Sequence, residues 1–353
     1  AIGTRPINLH IEALQQMGAE IEIEHGYVIA RAERLHGACI VFENATVGGT
    51  ENLMLAATLA KGTTVLENAA KEPEIVDLAE CLVKMGAQID GAGSSVVTIE
   101  GVDQLRPCSH RVIPDRVEAG TLLIAGAITG GDVRVNNCVP GHIDALTQRM
   151  AECGFRIDAG SDWLRVLPCD GWRAVDISTA PYPGFPTDLQ AQFMALMTVA
   201  EGTSVVTERI FENRFMHVQE LQRMGANITL QGHTAVVQGT ERLQGAPVMA
   251  TDLRASAALV IAALLVFGTV FVFLQDWRAT LIPGVAIPVS IVATFVAMAA
   301  TGRTLNVISL AGIAFAIGMI VDAAIVVLEN IYRLMEKGYS RRRAAYEGAR
   351  QVW

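Results

Sequence analysis

The sequence predicts an α/β (α+β) body of repeated βαβαββ units in two domains, followed by about three transmembrane helices. Three observations predict this: a helix-and-hairpin pattern that recurs along the body, a second recurring block of apolar helix, turn and strand, and a sharp change of composition after Ala257. Of the 353 residues, 51% are hydrophobic and 18% charged, with a net charge of −9. The 8 Lys/Arg and 5 Asp/Glu that follow Ala257 leave the tail near +3 and the body near −12. An acidic body joined to a short basic, apolar segment is not one domain with a mixed surface.

The first element is a helix ending in Met17-Gly18-Ala19. Ile21-Glu22-Ile23-Glu24 then alternates as a strand does, His25-Gly26 marks a tight turn, and Tyr27-Val28-Ile29 returns as the second strand of a hairpin. The same Met-Gly-Ala signature recurs at Met85 and Met224, with Cys153-Gly154-Phe155 as a degenerate copy, about 70 residues apart. That spacing is too long for a solenoid unit and suits a small α/β subdomain. Amphipathic helices precede these copies: Ile75, Leu78, Leu82 and Met85 share one face, as do Val218, Leu221 and Met224.

The second block starts at Gly48, Ala119 and Phe185, each time with small residues, an apolar helix, a glycine-bearing turn and a strand. The apolar helix Asn52–Ala60 is far too short to cross a bilayer and reads as buried beneath a sheet. A fourth copy opens at Thr251 but does not reach its turn and strand. The six cysteines lie in the body with no CxxC pair and no clustered histidine, so they read as small buried hydrophobes rather than disulfides or metal ligands. The start has no basic lead, early apolar core or Met, so no signal peptide is expected, and the chain is expected to begin inside a larger protein.

Six segments carry a family resemblance, in order: AIGTRPINLHIEALQQMGAEI, NAAKEPEIVDLAECLVKMGAQI, VIPDRVEAGT, TAPYPGFPTDLQAQF, FENRFMHVQELQRMGA and VMATDLRASAALV. Over residues 1–260 the chain resembles the enolpyruvyl transferase family, and FPTDLQAQ with FENRFMH points to its sugar-nucleotide branch. The resemblance implies an inside-out α/β barrel in two domains, here 1–113 and 114–257. It implies transfer of enolpyruvyl from phosphoenolpyruvate to the 3′-hydroxyl of UDP-N-acetylglucosamine, with no cofactor, no metal and no nucleic acid. Such chemistry needs guanidinium groups for the phosphate and carboxylate, and a carboxylate base for the sugar hydroxyl.

By resemblance Asp188 is the base, and Arg5 and Arg254 hold phosphoenolpyruvate with Asp252 beside them. Arg5, Pro6, Ile7, Asn8 and Leu9, the loop Asn44, Ala45, Thr46 and Val47, and Ile210 line the sugar-nucleotide site, with Arg214 nearby. Read locally, Asp188 is a helix N-cap, and both readings stand together. The pattern departs from the family in several places. The catalytic-loop Cys falls immediately before Ala1, an upstream Lys-Asn pair and Arg are missing, and Asn8 stands where an Asp contacts the nucleotide. The last phosphoenolpyruvate Arg is due after the TDLRASA segment, where the sequence changes character. Little or no turnover is therefore expected.

The tail holds three apolar runs, Ala258–Leu274, Leu281–Thr301 and Leu305–Leu328, long enough to span a bilayer, the first marginally. FLQDWRATLIPGVAIPVSIVATF and GIAFAIGMIVDAAIVVLENIYR resemble the resistance–nodulation–division efflux family, making 258–353 a transporter fragment with 258–330 in the membrane. Asp322 inside the third run is a proton-relay candidate, with Ala323 where many drug exporters carry a second acid. Arg341-Arg342-Arg343 place that end in the cytoplasm, which puts the body in the periplasm after three spans. The substrates and the transferase are expected in the cytoplasm and the tail in the inner membrane, so the halves demand opposite compartments. Three readings stay open: an enzyme, a transporter fragment with a passenger, and a joined chain with no function of its own.

Overall fold

The computed structural model describes residues 7–212, 214–249, 257–264 and 343. Element order is α1 (Asn8–Gln16), β1 (Glu20–Glu24), β2 (Tyr27–Arg31), β3 (Cys39–Val41), α2 (Val47–Thr58), β4 (Thr63–Glu67), α3 (Pro73–Lys84), β5 (Gln88–Asp90) and β6 (Val96–Glu100) in the first lobe. The second lobe holds α4 (Arg116–Ile128), β7 (Val133–Asn136), α5 (Asp144–Cys153), β8 (Ile157–Ala159), β9 (Trp163–Val166), β10 (Ile177–Ser178), α6 (Gln190–Met197), β11 (Thr203–Thr207), α7 (Met216–Arg223), β12 (Asn227–Gln231) and β13 (Thr234–Gln238).

The sheets repeat one topology. β3-β4-β6-β5 and β10-β11-β13-β12 are four-stranded, and each begins with a parallel pair joined through a helix and ends in an antiparallel hairpin. The three-stranded sheet β7-β9-β8 is the same order without its first strand, and β1-β2 is the hairpin alone. The β1–β2 turn is the expected one, with His25 and Gly26 both at positive φ (50° and 82°). The recurring Met-Gly-Ala signature has a single backbone cause. Gly18, Gly86, Gly154 and Gly225 each follow a helix at φ between 90° and 113°, a left-handed stop that only glycine adopts freely.

The equivalence of the two complete units extends to single hydrogen bonds. Gly101 N donates to Gly62 O and Gly239 N to Gly202 O, both at 3.0 Å. Val102 N donates to Thr58 O at 2.9 Å, and its counterpart Thr240 N to Thr198 O at 2.8 Å. The glycine in each pair is obligatory, because a Cβ there would run into the carbonyl of Ala60 or Ala200.

Each lobe has its own core. Leu53, Met54, Leu66, Ile75, Val97 and Ile99 centre the first, and Leu123, Ile124, Leu146, Phe193, Leu196 and Val237 the second. α6 is buried along its whole length, which explains its apolar, nearly unpatterned sequence, whereas α2 buries one face through Gly49, Thr50, Leu53, Met54, Ala57 and Thr58. The expected faces of α3 and α7 point inward, with Ile75, Leu82, Val218 and Leu221 buried.

Between the lobes, residues 101–114 run along α3. Arg106 N donates to Met85 O (2.8 Å), and His110 Nε2 lies 2.9 Å from Asp77 Oδ1 with both side chains nearly buried. Asp115 then caps α4, accepting from Val117 N and Glu118 N at 2.7 and 3.2 Å. The cysteines correct one expectation. Cys138 and Cys153 are buried, whereas Cys39 and Cys108 are exposed and Cys81 and Cys169 half-buried, all as free thiols.

Residues 257–264 are helical, and Ala258, Leu259, Ile261 and Ala262 belong to the second core. The first apolar run of the tail thus opens inside the lobe rather than beyond it. The rest of that run, the two runs after it and Asp322 lie outside the described residues. Among the described residues no helix is long and apolar enough to cross a membrane.

Candidate active site

The candidate residues of the first lobe gather where two helices begin. Ile7 occupies the N-cap position of α1 without a side-chain cap, and Thr46 caps α2, its hydroxyl accepting from Gly49 N at 3.2 Å. Gly49 lets the helices close up, since a Cβ there would meet Leu9 Cδ1 at 3.1 Å and the Thr46 methyl closer still. His10 Nδ1 and Asn52 Nδ2, 3.1 Å apart, tie α1 to α2 one turn further on. Thr50 anchors the loop, donating to Thr46 O (2.7 Å) and accepting from Ala70 N (3.0 Å). Asn68 donates to Phe42 O at 2.9 Å from the other side. Leu9 packs on the core, while Asn8 and Asn44 stay exposed beside the two helix starts, with Ala45 and Val47 half-buried. Converging N-termini favour an anionic group such as a diphosphate.

The candidates of the second lobe form a tighter group. Asp188 sits in a single 3-10 turn, Thr187–Leu189, immediately before α6. It does not cap that helix: the N-cap position is Leu189, with no side-chain cap, because the 3-10 turn separates Asp188 from the α6 start. Its Oδ1 lies 3.3 Å from Arg214 Nη1, with the aspartate side chain 34% exposed and the arginine 17%. The Arg214 guanidinium lies 4.2 Å over the Phe211 ring, so it is held from two sides. Ile210 is fixed through its backbone, its N–H donating to Glu208 Oε1 at 2.9 Å. Arg214 and Phe211 open onto a groove of about 480 Å³ that runs on to Met216, Leu230 and His233. A second cavity, about 390 Å³ around Cys153, Trp172, Arg173 and Glu201, holds none of the candidate residues.

Two groups that motif reading passed over shape this region. Glu208, 2% exposed, accepts hydrogen bonds from Thr179 and from Thr187 in the Asp188 turn. At the seam between lobes, Arg116 Nε donates to Glu74 Oε1 at 2.8 Å and its guanidinium lies 5.6 Å over the Tyr182 ring. Tyr182 N lies 3.4 Å from Glu72 Oε1, so the segment leading to Asp188 is tethered across to the first lobe. Burial, then the neighbouring Glu74 and Glu72, push the Glu51 carboxyl up from its ordinary value. Burial pushes His142 down, against the pull of Glu74. The signal for this seam was present in the two motifs that carry Glu72, Glu74 and Arg116, but nothing in them says that they meet.

Arg5, Pro6, Asp252 and Arg254 lie outside the described residues. Among the described residues no cluster of three His, Cys, Asp or Glu side chains is placed to hold a metal ion.

The comparisons with known proteins follow the change of composition. The family model described as EPSP synthase (3-phosphoshikimate 1-carboxyvinyltransferase) matches residues 1–277, and that of the AcrB/AcrD/AcrF family matches residues 248–353. The UDP-N-acetylglucosamine 1-carboxyvinyltransferase of Bdellovibrio bacteriovorus is 63% identical over 269 residues, covering 76% of this chain and 65% of its own length. That of Thermodesulfovibrio yellowstonii is 59% identical over 266 residues, covering 75% and 64%. The chain therefore spans just under two thirds of the length of these relatives. Among solved structures, the enolpyruvyl transferase NikO from Streptomyces tendae superposes with a TM-score of 0.66 at 25% identity, covering 74% of this chain and 65% of that one. An EPSP synthase from Acinetobacter baumannii, at 20% identity and a TM-score of 0.55 over 74% of this chain and 65% of that one, shares the fold.

Proposed function

We propose, from the premise that the chain belongs to the EPSP synthase (3-phosphoshikimate 1-carboxyvinyltransferase) family, that its body is built to transfer enolpyruvyl from phosphoenolpyruvate to the 3′-hydroxyl of UDP-N-acetylglucosamine. The observation that carries this reading is the Asp188–Arg214 pair, a carboxylate accessible to a hydroxyl yet oriented by a half-buried guanidinium. The printed names of the 63% and 59% identical relatives favour the sugar nucleotide as acceptor.

In this reading Asp188 takes the proton of the 3′-hydroxyl as its oxygen bonds to C2 of phosphoenolpyruvate. A proton adds to C3, phosphate leaves with the electron pair of its C–O bond, and loss of a proton from C3 restores the vinyl group. Arg5 and Arg254, with Asp252, hold the phosphate and carboxylate. Asn8, Leu9, the 44–47 loop, Ile210 and Arg214 hold the nucleotide sugar, the two helix N-termini facing its diphosphate.

A calorimetric titration of the full chain with UDP-N-acetylglucosamine tests the acceptor site, and saturable 1:1 binding is expected. Phosphate release with both substrates is expected to stay near background, because the donor-side Arg that the resemblance places after TDLRASA is due where the composition changes. Absence of binding sinks the acceptor assignment, and near-normal turnover sinks the expectation of an impaired donor site.

The match of residues 248–353 to the AcrB/AcrD/AcrF family favours a second reading for the tail alone, a piece of a proton-driven efflux pump lying in the inner membrane, with Asp322 as its relay acid. In that case the two parts are joined rather than cooperating. Protease protection of the tail in vesicles supports insertion, and complete digestion rejects it.

A further inference from the structure

Glu208 ends β11 and, as a lone acid after a strand, is unremarkable in sequence. In the fold it is a buried carboxylate satisfied by four donors from three separate segments. Its Oε1 accepts from Thr179 Oγ1 at 2.8 Å, from Ile210 N at 2.9 Å and from Phe211 N at 3.2 Å. Its Oε2 accepts from Thr187 Oγ1 at 2.9 Å. The Thr179 hydroxyl in turn accepts from Arg209 N at 2.8 Å, so the clamp is locked from behind.

We infer that Glu208 is a positioning residue, holding Asp188 and Arg214 in register by clamping the two backbone segments that carry them. Its contribution to enolpyruvyl transfer rests on the site reading above. The contacts close a circuit. Glu208 holds Thr187, whose neighbour Asp188 meets Arg214, which lies over Phe211, whose N–H returns to Glu208. Removing any link lets Asp188 drift relative to Arg214, and misplacement by an ångström or so at a reacting group is enough to lose rate and affinity. A buried acid that served only to end β11 would need no bond to the Asp188 turn. The Thr187 branch is therefore the diagnostic one.

The test uses the full chain, hydrogen exchange read by mass spectrometry, and calorimetry with UDP-N-acetylglucosamine. Glu208→Gln keeps the three bonds to the carbonyl oxygen, and its amide donates to the Thr187 hydroxyl, so both readouts stay close to the parent. Glu208→Ala raises exchange in segments 179–190 and 208–216 together by about tenfold or more, with the first lobe unchanged. Thr187→Val, which cuts one branch, loosens 185–190 and weakens nucleotide binding about threefold or more while Ile210 and Phe211 stay protected. The inference is overturned if Thr187→Val leaves exchange in 185–190 unchanged, or if Glu208→Ala frees Ile210 and Phe211 alone. If the parent does not bind the nucleotide, the acceptor assignment falls, and the exchange pattern still decides the clamp. Should Glu208→Ala not fold, Thr187→Val and Glu208→Gln carry the decision.

Discussion

Thiol reactivity follows thiolate fraction and access, and both disfavour the two buried cysteines. Burial pushes Cys153 up to about 12 and raises Cys138 as well. Cys39 and Cys108 are exposed. Iodoacetamide at pH 8 is expected to label Cys39 and Cys108 in the native protein and to reach Cys138 and Cys153 only in denaturant, as peptide mapping shows directly. A second residue-scale prediction concerns Glu51. Its raised pKa means that the folded state gives up this proton later than the unfolded chain, so stability is lost as pH rises from its ordinary value of 4.5 through the folded value. Glu51→Gln is expected to stabilise at pH 7.5 by a few tenths to about 1 kcal/mol, and the gain to vanish near pH 4, as paired urea titrations test. A gain of the same size at both values rules out the charge penalty from burial and from Glu74 and Glu72. At this scale the sequence was legible only where motif order spoke. Asp188 and Arg214, singled out by motif order, do meet in the fold, whereas Glu208 was passed over because a single acid beside a strand looks solvated. Ile210 N and Phe211 N are local partners of Glu208, but its burial and its bonds to Thr179 and Thr187 come from distant segments, and no local pattern carries those.

The helices, turns and hairpins were legible because their causes are local. A left-handed glycine stops each signature helix, and a two-residue turn closes β1 on β2. The cap at Asp188 was misjudged for a related reason: a short acid before an apolar run signals a helix start, but the 3-10 turn that holds Asp188 moves the N-cap one residue on, to Leu189. Atomic equivalence of the units makes a prediction of its own. Gly101 and Gly239 occupy the same place in their units, each backed against a carbonyl. Gly101→Ala and Gly239→Ala should each destabilise by about 1–3 kcal/mol, a backbone shift being the only relief. Because the cores are separate, the first change should speed exchange in β4 and β6 and the second in β11 and β13. Tolerance of alanine at one site but not the other breaks the equivalence.

At the scale of the whole molecule the question is where the second lobe ends. The matches to the two families overlap over residues 248–277, and the one described helix in that interval, 257–264, is sided. Ala258 and Ala262 are fully buried, Leu259 and Ile261 nearly so, while Val260 is 58% and Leu264 43% exposed. Composition alone could not resolve this, because a buried helix and a membrane span are equally apolar over so few residues. The packing assigns the helix to the lobe, and that assignment has a contrast built into it. Ala262→Asp places an unpaired carboxylate in the second core and should destabilise that lobe by about 3 kcal/mol or more, while Val260→Asp, on the outward face, should stay within about 0.5 kcal/mol. Melting and hydrogen exchange of the second lobe in the full chain, held in detergent, read both. If residues 258–264 leave the lobe for a bilayer, both variants spare the lobe and both weaken retention of the chain in vesicles. The lobe-packed helix predicts the opposite pattern for Ala262→Asp, with the loss confined to the second lobe.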